Sequence, residues 1–274
     1  MRTGTALDNR QSDTAILEQG GTAPAADVPA IDRDRLAAIV AEAGDSLIDL
    51  QCDDGHWVFE LEADATIPSE YVFLRHFLGQ PEPEIERLIG NYLRDRQQEG
   101  GGWPLFHDGD MDISASVKAY FALKLIGDDI DAPHMEKARR AIRAAGGAER
   151  CNVFTRIALC LFGQLPWRAV PVMPVEIMLL PEWFPFHMSK VSYWSRTVIA
   201  PLLIMMALKP QARNPRNVDI QELFVRDPAK IRNFNSNPNG SSIGEVFITL
   251  DKVLQKTAPL WPKGSRRNEA LAKA

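Results

Sequence analysis

Cysteine is scarce in this 274-residue chain, with only Cys52, Cys151 and Cys160. Three cannot all pair, and none stands in a C-x-x-C spacing, which excludes a disulfide framework and speaks against a zinc ligand set; a reducing cytoplasm is the default compartment. Basic excess is also missing. The net charge is −5, where a nucleic-acid binder wants a basic face. The longest apolar run, Val198 to Leu208, is 11 residues and contains Pro201, whereas a membrane-spanning helix needs about 20. Histidines 56, 76, 107, 134 and 187 form no i, i+4 pair and have no Ser or Cys partner pattern, so neither a metal site nor a catalytic triad is expected. Asp108-Gly-Asp110-Met-Asp112 fails as a calcium loop, with Ile113 where Gly belongs and Ala119 where Glu belongs. Asp128-Asp129-Ile-Asp131 reads as a polar turn after Gly127. No signal-peptide core follows Arg2, and residues 1–30 read as a flexible tail.

Helical periodicity is what the chain does have. Leu36, Val40, Ala43, Leu47 and Leu50 form one stripe behind a candidate N-cap, Asp32. Further helices are expected at 70–78, 84–97, 113–126, 134–145, 153–162, 190–208 and 243–256, several ended by Gly79, Gly127, Gly146 or Gly163, and another begins at 264. Period-two alternation is absent, so the fold class is all-α. Five prolines between 166 and 185, interleaved with Trp167, Trp183, Phe184 and Phe186, predict an irregular loop packed on the core. Residues 209–242 read as a long surface excursion with one short helix near 219–225.

A repeat is the sharpest feature. Gln51-Cys-Asp-Asp-Gly55-His-Trp57 and Gln97-Gln-Glu-Gly-Gly101-Gly-Trp103 share the spacing Gln-x3-Gly-x-Trp at a period of 46 residues. Each follows an amphipathic helix with Leu47 or Leu93 four residues before its Gln. Gln51, Trp57, Gln97 and Trp103 therefore read as structural. The Gln amide is expected to bond leftover helix carbonyls, Gly to permit a left-handed turn, and the Trp ring to cover the amide plane.

With this motif the sequence resembles the squalene–hopene and oxidosqualene cyclase family, whose hallmark is the repeated Gln/Trp motif. The likeness extends through Ser69-Glu70-Tyr71-Val72-Phe73-Leu74, Asp112 to Lys124, Asn152-Val-Phe-Thr-Arg156, Pro166 to Pro174, Glu176 to Pro181 and Val191-Ser-Tyr-Trp-Ser-Arg-Thr197. It covers residues 34 to 268. The resemblance implies two α/α barrels around a large apolar cavity, docking on one membrane leaflet, with squalene as substrate and no metal or organic cofactor. It further implies a cytoplasmic, monotopic location on the inner membrane. An Asp-x-Asp-Asp acid starts the ring closures that lead to hopene or hopanol, and aromatic faces hold the cations.

That acid motif is absent here, since position 51 is Gln and position 126 is Ile. In the family the acid lies in the second half of a chain more than twice this length, and this sequence ends within a helix before that half. No catalytic residue is therefore expected in the chain, and alone it is expected to be inactive. The family pattern places Trp194 and Phe154 as cavity-lining aromatics. Glu70 matches an acid in the polar network at the far end of the cavity; read locally, it is a first-turn helix partner. Lys118 replaces an acid found in some cyclases, and Ala158 a Trp. Val246, Phe247, Leu250 and Leu254 share a face near the family's membrane patch, ahead of Lys263, Arg266, Arg267 and Lys273.

The expected organisation is a tail (1–30), a helix and first motif belonging to the other barrel (31–57), an incomplete α/α barrel (58–263) and a partial helix (264–274). Two rival readings stay open: the non-enzymatic half of a split cyclase that binds a C-terminal partner chain carrying the acid, and a truncated product without function; a homodimer is a separate expectation. A prenyltransferase-like barrel would need Asp, Cys and His zinc ligands, and no supporting cluster is found.

Overall fold

The structure, a computed structural model, describes residues 32–59, 64–185, 187–231, 233–234, 240–258 and 264–274. The predicted tail, Phe186 and Lys263 lie outside them. The chain divides into two compact units, residues 1–61 and 62–274.

In the first unit the described chain is α1 (Arg33–Asp49) and the motif loop after it. Asp32 caps the helix, its carboxylate accepting hydrogen bonds from the Asp34 and Arg35 amides at 3.1 Å each. Leu36, Ile39, Val40 and Leu47 remain exposed, so no described residue of their own unit covers the apolar stripe.

The second unit is built around α4 (Ile113–Ile126). Apolar residues occur all round this helix, which is the pattern of a helix buried on every side, and α2 (Thr66–Phe77), α3 (Pro83–Asp95), α5 (Pro133–Ala144) and α6 (Val153–Leu161) all pack against it. Asp112 caps α4 through the Ala115 amide at 2.7 Å. The aspartate that ends the rejected calcium pattern is thus a helix cap. Phe73, Phe121 and Phe162 meet at the centre with ring centroids 5.1–5.7 Å apart, in tilted and edge-on geometries that suit aromatic quadrupoles. Helices α7 (Tyr193–Leu208), α8 (Ser242–Thr257) and α9 (Ser265–Lys273) complete the described set. Among the described residues none of the helices is long and apolar enough to cross a membrane.

The fold is all-α as expected. Its sole described strand pairing is a two-residue antiparallel contact, Trp103–Pro104 (β1) with Met111–Asp112 (β2), too short to leave a periodic trace in sequence. The proline-rich loop packs on the core as expected, with its own Ala169, Val170 and Val175 buried, but Trp183 stands exposed, edge-on to Phe184.

The expectation of a surface excursion over 209–242 is corrected only from residue 220 to 231: residues 209–219 are exposed or half-buried as expected, and the expected short helix is a single turn, Gln221–Leu223. Ile220, Leu223, Phe224 and Ile231 are buried. Gln164 pins the segment through the Val218 carbonyl (3.3 Å) and the Ile220 amide (2.9 Å). The buried Glu149 accepts from the Val225 and Arg226 amides. Polar composition does not reveal this burial, because these side-chain to backbone bonds satisfy backbone groups of an irregular segment where it turns inward.

Asp128 binds Arg94 in a two-toothed contact (2.9 and 2.7 Å) and His134 at 2.6 Å. Burial alone would raise its carboxyl, but the Arg94 and His134 hydrogen bonds outweigh it and hold it below the usual carboxylate range. The turn after Gly127 therefore joins α3 to α5.

Candidate functional site

The two Gln/Trp motifs have the same backbone construction. In the first, the Gln51 amide donates to the Gly55 carbonyl (2.7 Å) and the Trp57 indole N–H to the Leu47 carbonyl (2.6 Å). In the second, Gln97 donates to Gly101 (2.9 Å) and Trp103 to Leu93 (2.7 Å). Gly55 and Gly101 take φ of 89° and 96°, where a side chain would be strained. This corrects one detail of the sequence reading: the Trp indole, not the Gln amide, takes up the helix carbonyl, and Gln closes the loop on itself. Gln97 has a second bond, to the His134 carbonyl at 2.9 Å, which fastens the motif to the start of α5.

Glu70 lies on α2 and Lys118 on α4, and the Lys118 ammonium meets the Glu70 carboxylate at 2.5 Å. Lys118 is nearly fully buried and Glu70 half exposed. The first-turn reading of Glu70 is overturned, because α2 begins at Thr66 and Glu70 lies one turn in. Asp64 serves the helix start instead, accepting from the Thr66 amide at 2.7 Å. An ionised pair of this kind avoids the cost of a lone buried ammonium.

Phe154, in the first turn of α6, is 54% exposed, and Trp194, in the first turn of α7, is 79% exposed with its ring edge-on to Tyr193 at 5.7 Å. Asn152 and Ser192 cap these two helices, so a cap residue fixes where each aromatic projects. No hydrogen bond or ring contact among the described residues joins Trp194, Phe154 and Glu70. On the same helix, Arg156 is buried and donates to the Phe234 carbonyl at 2.8 Å, and the buried Thr155 hydroxyl has no hydrogen-bond partner among the described residues.

An open cavity of about 1100 Å³ lies between the proline-rich loop, α7, α8 and α9, lined by Trp167, Arg168, Met206, Phe234, Asp251 and Arg267 among others. None of Glu70, Phe154 and Trp194 lines it. On α8, Val246, Phe247, Leu250 and Val253 point outward, while Asp251 faces inward and accepts from the Val172 amide at 2.7 Å. Leu254, placed on the outer face by its spacing, is half-buried instead.

Two features were missed in sequence. Arg156 lies within the Asn152–Arg156 likeness, but nothing in the local sequence marks it as buried. Cys52, Asp54 and His56 gather their ligating atoms within 4.8 Å of one another, an arrangement that a search for histidine pairs and C-x-x-C spacings passes over. Cys151 and Cys160 are different, being buried with thiols pushed up to about 12 by desolvation, and are inert as nucleophiles.

The family profile described as squalene-hopene cyclase N-terminal domain matches residues 40–274. The chain is 56% identical over 234 residues to a squalene–hopene cyclase of Bradyrhizobium diazoefficiens, covering 85% of this chain and 36% of that protein. A squalene–hopene cyclase of Zymomonas mobilis is likewise 56% identical, with 85% and 35% covered, and one of Alicyclobacillus acidocaldarius is 34% identical, with 80% and 34% covered. The chain thus spans about a third of the length of these curated relatives. With an all-α fold, paired Gln/Trp ties and this match over most of its residues, the chain belongs to the squalene–hopene cyclase family and carries the family's N-terminal domain.

Proposed function

We propose that this chain is the N-terminal part of a cyclase that converts squalene to hopene or hopanol by proton-initiated ring closure, and that it supplies wall rather than acid. The observation that carries the proposal is the 56% identity to two squalene–hopene cyclases over 234 residues. Carbocation intermediates need aromatic faces, whose quadrupoles stabilise positive charge without acting as nucleophiles. Trp194 and Phe154 present such faces outward from helix first turns, where a further part of the enzyme can close over them. In the assembled enzyme Glu70, ion-paired to Lys118, forms a polar end of the cyclisation pocket that holds water for the final proton removal. Residues 31–57 belong to the second barrel of the assembled enzyme and 58–263 to the first.

Because Asp-x-Asp-Asp is absent, the 274-residue chain incubated with squalene gives no hopene above a blank. Co-expressed with a chain carrying the remaining cyclase domain and its acid, it yields hopene. In that assembly Trp194→Ala lowers the rate by roughly thirtyfold, the kinetic equivalent of about 2 kcal/mol of desolvated cation–π stabilisation. Hopene from the chain alone sinks the proposal about the acid. An unchanged rate in Trp194→Ala sinks the wall assignment.

The outward apolar face of α8 supports docking on a lipid leaflet, at the cytoplasmic face of the inner membrane. Flotation with phospholipid vesicles checks this: Phe247→Glu reduces bound protein by about tenfold or more, since it removes one buried aromatic side chain of about 1.5–3 kcal/mol and adds a charge. Equal flotation of the variant and the parent chain rejects the α8 face as the contact.

A further inference from the structure

Cys52, Asp54 and His56 occupy alternate positions in the loop after α1. The loop's backbone is fixed without them: the Cys52 amide donates to the His56 carbonyl (2.9 Å), the Gly55 amide to the Cys52 carbonyl (2.8 Å), and Gln51 closes it on Gly55. The second motif provides an internal control. There the Gln98 amide donates to the Gly102 carbonyl (3.0 Å) and the Gly101 amide to the Gln98 carbonyl (2.8 Å). The residues at the three equivalent positions are Gln98, Gly100 and Gly102, which offer no thiolate, carboxylate or imidazole. The same tie therefore forms with no metal-ligating side chain, and the fold does not call for Cys, Asp and His in the first motif.

What these three residues share is coordination chemistry. One sulfur, one carboxylate oxygen and one imidazole nitrogen lie within 4.8 Å of one another at an accessible surface. Zinc bonds of about 2.0 Å to nitrogen and oxygen and about 2.3 Å to sulfur place tetrahedral ligands roughly 3.5 Å apart, so small side-chain rotations close the site. A hard cation is a poor fit, since calcium takes six or more oxygens and this loop gathers a single carboxylate beside a soft sulfur and a borderline nitrogen.

We propose that the first Gln/Trp loop is a surface site for a borderline-soft divalent transition ion, with zinc as the type. Cys52 thiolate, Asp54 carboxylate and His56 imidazole are the protein ligands, and water completes the shell. His56 Nδ1 already meets the Asp54 carboxylate in a hydrogen bond. On binding, the ion takes the place of the proton in that contact and of the Cys52 thiol proton. The Cys52 thiol proton passes to solvent, the neutral imidazole keeps its single proton on Nε2, and no electron moves. An ion held across positions 52, 54 and 56 clamps the loop that ends α1, so the site's effect is local rigidity.

Cobalt(II) is the probe, because a thiolate–cobalt bond gives a near-ultraviolet charge-transfer band that oxygen and nitrogen ligands do not. The tag-free 274-residue chain, reduced and stripped with chelator, is titrated anaerobically. The expected result is a band saturating at one equivalent and bleached by zinc. The control is Cys52→Gln, Asp54→Gly and His56→Gly together, which copies the second motif and so keeps the tie; circular dichroism verifies its fold. This variant is expected to lose the band and to bind cobalt at least tenfold more weakly. No band in the parent chain overturns the proposal. So does a band that survives Cys52→Gln, or an affinity unchanged in the triple variant, either of which makes the cluster a chance surface grouping.

Discussion

Trp103→Ala melts far below the parent chain, with a loss of about 3–5 kcal/mol, the usual cost of truncating a buried aromatic to alanine. The ring is fully buried, its indole N–H holds the Leu93 carbonyl at 2.7 Å, and its own amide donates to the Ser116 hydroxyl at 2.9 Å. Alanine leaves a cavity at the junction of α3 and α4 and strips a buried carbonyl of its partner. For a unit of this size each kcal/mol moves the midpoint by about 2–4 °C, which thermal circular dichroism reads directly. Trp57→Ala, at the matching position of the first motif, shifts the midpoint by less than half as much. Its hydrogen bond is equally short, but its ring is 45% exposed, so less apolar surface is lost from burial. Equal shifts would show that the tie itself, and not the packing of the ring, carries the stability.

Gly101→Ala is comparably damaging for a different reason. A Cβ at Gly101 would lie 2.5 Å from the Lys137 carbonyl oxygen, a backbone atom of α5 that cannot swing aside. The φ of 96° adds conformational strain of about 1–3 kcal/mol, and forcing α5 outward costs a similar amount again. Gly55→Ala meets only the strain, because at that site the nearest atom to the new Cβ is Gln51 Nε2 at 3.9 Å. Urea denaturation of the two variants separates the contributions. The difference between them measures the contact with α5, and equal losses would eliminate that contact as a source of the effect.

These two pairs also show where a sequence reading is blind. The motif spacing is identical at 51–57 and 97–103, and it correctly marks two loops of one construction. It carries no sign that one Trp is buried and the other half exposed, or that Gln97 reaches a second helix through His134. Those differences come from what packs over each loop, which no local spacing encodes. Glu70 illustrates the opposite error. Its helix begins a turn earlier than the apolar pattern suggests, because Asp64 bonds the Thr66 amide and starts the helix there. The segment at 220–231 reads as solvated because burial there is satisfied one hydrogen bond at a time, by Gln164, Glu149 and Arg143, from residues distant in the chain.

Composition, periodicity and glycine stops were enough to determine an all-α chain, the end of α4 at Gly127, the caps at Asp32 and the repeat itself, because each depends on residues within about one helical turn. Family membership was legible for a related reason, since the motif residues are contiguous. The tertiary structure alone decided that Lys118 answers Glu70 across two helices, that α8 turns its apolar face outward, and that Cys52, Asp54 and His56 converge. Each of these depends on where separate backbones, or the two sides of a closed loop, come to rest against one another. That is a matter of packing, and spacing along the chain does not contain it.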